Sequence, residues 1–233
     1  MRSFILPVLI LLTVSSCSSY QYLTLNSTDV PKNDKHLFSW ENDTLRLTYD
    51  FHGHKGPMIM TIYNKTDKPL YINWKKSAFI RDGHSSSLFN SNVQVVGSAA
   101  TYKTRYVNFS SLSGSFDIPE GMDLIPPASD ITKALPATAG PQALNTAYFA
   151  DTAKDATAAL FDGLEFKYKK YTFDAGQSPL QFKSYLTFVV GANNPQEFSV
   201  THSFFANEVI RTKQNPEAFD AYHNDGDKLF VRE

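Results

Sequence analysis

Polar and apolar residues alternate with a period of two over most of the chain after residue 43. In DTLRLTYDF, 43–51, Leu45, Leu47, Tyr49 and Phe51 fall on one side and Thr44, Arg46, Thr48 and Asp50 on the other, as in a half-buried strand. HGHKG, 52–56, supplies turn glycines, and PMIMTIY, 57–63, is apolar on both faces, which predicts a central strand. After a polar loop at 64–69, Leu70, Ile72 and Trp74 share a side, and Ala78, Phe79 and Ile80 resume the pattern before Arg-Asp-Gly closes it. These segments predict a three-strand antiparallel meander.

The last third has the same style. LEFKYKKYTF, 164–173, predicts one strand or a hairpin pair, and PLQFKSYLTFVV, 179–190, sets Leu180, Phe182, Leu186 and Phe188 against Gln181, Lys183 and Thr187. FSVTHSFFANEVI, 198–210, keeps its alternation to Phe204 and changes parity at Phe205, the mark of a bulge. KLFVRE, 228–233, follows an Asn-Asp-Gly turn. Strands separated by turn signals predict a mainly β fold, an immunoglobulin-like antiparallel β-sandwich occupying 38–233.

Between the two strand-rich parts the pattern weakens. Prolines at 119, 126, 127, 136 and 141 break any long regular element. Nine alanines between 137 and 160 favour a helix over roughly Gln142 to Phe161, with Leu144 and Tyr148 on one face. Residues 111–161 are therefore expected to form a long irregular, partly helical insert in one domain.

The opening residues follow another rule. Arg2 precedes Phe4 to Leu12, nine residues without a polar side chain, and Thr13 to Ser16 are small or polar except for Val14. This is the layout of a secretory signal. Spanning a bilayer takes about 20 apolar residues; this run ends after nine and contains Pro7, so removal is expected.

Val14, Ser15, Ser16 and Cys17 resemble the lipobox of bacterial lipoproteins. The resemblance covers the first 17 residues and uses the only cysteine in the chain. It implies that residues 1–16 are a signal peptide cut before Cys17, that a diacylglycerol is joined to the sulfur, and that the freed amine is acylated. One acyl chain anchors marginally, whereas two or more anchor stably. By the same resemblance, Ser18 in place of the retention residue Asp, and the lack of an acidic cluster in residues 18–22, imply an outer membrane position facing the periplasm rather than the cell surface.

With its thiol acylated, a chain of 217 residues from Cys17 has no free thiol or disulfide, which excludes thiol catalysis and leaves stability to a packed core. Twenty-two Lys plus Arg against 23 Asp plus Glu, with no basic run in the sequence, give no charge reason to bind nucleic acid. Asn26, Ser27, Thr28, Asp29, Pro31, Asn33 and Asp34 make residues 17–37 read as a flexible tether.

The signatures G-x-S-x-G, H-E-x-x-H, G-x-x-x-x-G-K-[ST] and G-x-G-x-x-G do not occur. His52 and His54 in the first loop, with Asp82 and His84 at the end of the third strand of the meander, would offer zinc or copper ligands if they converged. H-x-H alone is too short a signature to assign a metal, and loop histidines otherwise sit in solvent. His202 shares the parity of Phe198, Val200 and Phe204 and is expected as a hydrogen-bonded core residue. HNDGDK, 223–228, echoes a calcium loop in Asn224, Asp225 and Asp227 but lacks the spacing and the distant Glu, so it reads as a turn. Glu120 and Asp123 would matter to glycosidic cleavage only at a fixed separation.

Aromatic residues make up 14% of the chain. Exposed near strand ends, Trp40 and Tyr71 would stack on sugars or anchor a protein, whereas the parity of Trp74 places it in the core. The expectation is a non-enzymatic, lipid-anchored cell-envelope protein, an interaction or scaffold module without catalytic, cofactor or metal residues. Its partners are membrane lipid through Cys17 and an unidentified envelope protein. An envelope glycan-binding protein and an envelope polymer hydrolase are the alternatives.

Overall fold

A computed structural model describes residues 19–89, 120–135, 143–160, 163–192, 194–219 and 225–233. The signal segment, Cys17, Asn224 and the remaining parts of the predicted insert lie outside these residues.

In chain order the strands are β1 (Tyr20–Ser27), β2 (Phe38–Glu41), β3 (Leu45–Asp50), β4 (Gly53–His54), β5 (Met58–Asn64), β6 (Leu70–Asn73), β7 (Ala78–Arg81) and β8 (His84–Ser87). They continue with β9 (Met122–Ile125), β10 (Asp130–Leu135), β11 (Lys154–Ala159), β12 (Glu165–Thr172), β13 (Gln181–Val190), β14 (Gln196–Thr212) and β15 (Lys228–Arg232). One sheet runs β10-β5-β3-β2, and the larger one runs β4-β15-β1-β14-β13-β6-β9 with β7, β8, β11 and β12 attached. Every pairing is antiparallel except the short β4–β15 contact. The predicted mainly β sandwich is thus present. Its core joins Leu45, Leu47, Tyr49, Met60 and Ile62 of the small sheet to Leu23, Leu25, Leu186, Phe188, Phe204 and Val209 of the large one.

The 17-residue β14 is the spine. One of its edges takes β13 along residues 196–205 and then β12 along 208–211, while its other edge takes β1 along 204–212. The ladder slips between Thr24 and Leu25, whose partners are Glu208 and Ala206. The bulged residue is therefore Asn207, two positions beyond the parity change predicted at Phe205. It turns the buried set from Phe204 and Ala206 to Val209.

Three expectations are corrected. First, residues 20–27 of the supposed tether form β1, hydrogen-bonded on one side to β14 and on the other to β15. Tyr22, Leu23 and Leu25 are fully buried. Leu23 and Leu25 enter the main core, while Tyr22 packs on the outer face of the sheet with Ile210 and Phe219. The polar stretch after β1 is not a tether either: Val30 is buried, and the Asn33 side chain accepts hydrogen bonds from the backbone of Lys35 and Leu37.

Second, the meander stops after two strands. β3 and β5 pair as predicted, but β6 and β7 both leave for the large sheet, along β13. Asn64, fully buried, holds this crossover: its Nδ2 donates to the carbonyls of Lys68 and Ile125, and its Oδ1 accepts from Thr66. A 3-10 turn at Trp74–Lys76, capped by the Asn73 side chain, separates β6 from β7. Ser77 Oγ then accepts from the Thr187 N–H, which keeps the β13 edge satisfied across the break.

Third, the alanine-rich segment is not an α-helix. Thr146–Thr152 is 3-10, and Lys154–Ala159 is β11, paired with β12 so that Ala156 and Ala158 oppose Tyr168 and Phe166. Helix preference amounts to tenths of a kcal/mol per residue. A strand edge next to large aromatic rings outweighs it.

Candidate functional site

The predicted histidines do not meet. His54 lies in β4 at one edge of the large sheet, its ring against Phe230. His84 lies in β8 at the far edge, with β15, β1, β14, β13 and β7 between them. Asp82 and Gly83, with φ of 52° and 77°, form the two-residue turn joining β7 to β8. Asp82 pairs with Arg81. His52 is half-buried, and its Nδ1 has no hydrogen-bond partner. Loss of the meander is the physical reason: β4 joins the large sheet at β15 and β7 joins it at β13, so the two histidine segments stand at opposite edges.

The loop at 225–228 brings a different group together. His36, Asp225 and Asp227 offer ligand atoms within 4.8 Å of one another. Lysines already neutralise both carboxylates: Lys32 Nζ lies 2.6 Å from Asp227, which is 2% exposed, and Lys228 Nζ lies 2.6 Å from Asp225. The cluster is therefore a clamp. Lys32 also donates to the Leu25 carbonyl, Leu25 N–H donates to the Asp227 carbonyl, and Phe51 N–H donates to that of Gly226. A Cβ at Gly226 would run into Leu37. The turn reading of Asp225 and Asp227 holds, but no hairpin follows, since β15 pairs with β1 and β4.

His202 is a core residue, as its parity predicts. It is 2% exposed, its Nδ1 lies 2.8 Å from the Tyr49 hydroxyl, and Trp40 packs on its ring. Burial lowers the imidazole pKa, against a smaller upward pull from Asp29, and burial pushes the Tyr49 phenol up. Both groups are therefore neutral near pH 7, and the pair acts as a structural hydrogen bond. Trp40 and Tyr71 are half-buried, while Trp74 is buried and donates through Nε1 to Asp123. Asp123 also pairs with Lys133, and Glu120 pairs with Lys75.

A denser arrangement lies at the end of the large sheet where β1 begins. Pairing register places Lys169, Arg211, Gln21 and Val231 in one row across β12, β14, β1 and β15. Glu233 closes the row: its carboxylate accepts from Ser19 Oγ, from Gln21 Nε2 at 2.6 Å and from Arg211 Nε at 2.9 Å. Burial alone would raise this carboxyl, but those hydrogen bonds and the Arg211 charge outweigh it and hold its pKa below the ordinary range. Gln21 also binds the Leu144 backbone through both ends of its amide.

Two cavities flank Arg211. One of about 470 Å³ is lined by Leu144, Thr146, Lys169, Tyr171 and Glu233 among others. The second, about 740 Å³, includes Ser19, Phe166, Lys167, Tyr168, Lys169 and Lys213 in its wall, with Asp155 as its one carboxylate among the described residues. Lys167, Lys169 and Lys213 are exposed and have no ion-pair partner among the described residues.

This basic cluster has no counterpart as a basic run in the sequence. Its charges come from two segments, 167–169 and 211–213, that meet only through the β12–β14 register. The available signal was period-two placement of the cations, Lys167 with Lys169 and Arg211 with Lys213, within predicted strands or at their ends.

The class of protein defined by fold and site is an antiparallel β-sandwich with a cationic sheet end beside the start of β1. No protein-family model, curated protein or solved structure matches the chain.

Proposed function

We propose that this protein is a non-enzymatic, lipid-anchored module of the cell envelope, held on the outer membrane facing the periplasm and acting through contacts with another envelope protein. The observation that carries the proposal is Val14-Ser15-Ser16-Cys17 placed directly behind the apolar run Phe4 to Leu12. A second feature supports it. β1 starts three residues after Cys17, so an acyl group there would hold the body against the bilayer with almost no slack. The glycan-binding reading loses its open platform at Trp40, whose ring is packed on His202.

Intact-mass measurement of the protein from its native membrane tests the anchor. The expected product starts at Cys17 and carries at least two acyl chains; a product starting elsewhere, or without acyl mass, ends the proposal. Protease added to intact cells is expected to leave the protein whole, and its removal would overturn the periplasmic orientation. Crosslinking in native membranes is expected to capture the same envelope protein from wild type, and to lose it with Cys17→Ala.

A further inference from the structure

We infer that the sheet end bearing Lys167, Lys169 and Lys213 rests on the phosphate headgroups of the bilayer that holds Cys17, an inference that builds on the anchor proposed above. Ser19 and these three lysines line the same cavity of about 740 Å³. Two residues of extended chain span at most about 7 Å, so lipid attached at Cys17 emerges next to this cavity. The patch is thus brought within reach of the headgroups at no further cost in ordering.

Its chemistry suits that surface. Among the described residues the three lysines have no ion-pair partner, and the cavity holds one opposing carboxylate, Asp155. Arg211, in contrast, is neutralised by Glu233. Glu208 likewise engages Lys170. Phe166 and Tyr168 complete the wall but pack against Phe219, so the lysines carry the contact. Cations beside an anchor are the second signal that sets the orientation of a lipidated body on an anionic membrane.

The full chain, as isolated, is mixed with vesicles of phosphatidylcholine alone or of phosphatidylcholine with phosphatidylglycerol. Flotation reads the anchor, and acetylation of individual lysines reads the patch. An acylated chain is expected to float with both vesicles. Only with phosphatidylglycerol is acetylation of Lys167, Lys169 and Lys213 expected to slow, by about fivefold or more at low salt, with Lys133 of the small sheet unchanged.

Equal acetylation on the two vesicles, with the protein floating on both, would overturn the inference and leave the anchor standing. A chain that ignores phosphatidylcholine but binds the anionic vesicles in a salt-dependent way would overturn the anchor and leave the patch. Binding to neither would overturn both. The triple substitution Lys167→Glu, Lys169→Glu and Lys213→Glu is expected to abolish the phosphatidylglycerol effect without reducing flotation.

Discussion

At position 202 an imidazole that titrates near pH 6.5 in an unfolded chain is sealed against Tyr49 and Trp40 and held neutral. Because its folded pKa is depressed, the unfolded state takes up the proton first. The stability it contributes is complete above about pH 6.5 and declines as pH falls below that value. Denaturant unfolding across pH 7.5 to 5 is expected to show this decline, and His202→Gln, which can keep a bond to Tyr49, is expected to flatten it. Glu233 acts in a lower window, from its unfolded value near pH 4.3 downward, where loss of its charge releases Ser19, Gln21 and Arg211. At the 225–227 turn, Lys32→Met would strand the buried carboxylate of Asp227. The expected loss is about 3 kcal/mol in the same unfolding assay. His202 was legible from its parity alone. The role of Asp227 was not, because the lysine that neutralises it lies almost the whole chain away.

Among the elements, β1 separates what polarity suggests from what pairing decides. Truncating Leu23, fully buried in this strand, is expected to cost about 2–5 kcal/mol in Leu23→Ala. A flexible tether would register no change. The count of polar residues from Asn26 to Asp34 was correct, but it says nothing about YQYLTL, whose alternation is short and whose partners are β14 and β15 near the other end of the chain. β3, β13 and β14 were readable because each is long enough to show its period and buries one face. β5 was rightly central in its sheet, although only its Met58, Met60, Ile62 face is sealed. β11 was misread because alanine favours a helix in isolation, and because the strand gains its stability from β12.

For the whole molecule, the anchor proposed at Cys17 would lie outside the β-sandwich, so location and stability are expected to be separable. Cys17→Ala is expected to remove the acyl mass and release the body from membranes once the signal segment is detached. The thermal midpoint of the body should stay within about a degree, since the core joining both sheets has no part in the anchor. The cationic sheet end shows the converse dependence. Lys167 and Lys169 become neighbours of Arg211 and Lys213 only when β12 docks on β14.

The residues alone determined what depends on nearest neighbours along the chain: the presence of most strands, and which side of each faces inward. Alternation acts locally, because successive side chains of a strand must point to opposite faces. Only the tertiary structure decided which sheet each strand joins, that the supposed tether is an inner strand, and that the histidines stay apart while the lysines gather. Those outcomes are set by backbone hydrogen bonds between distant segments. The peptide groups that form them are the same in every residue but proline, so side-chain identity carries no label for the partner.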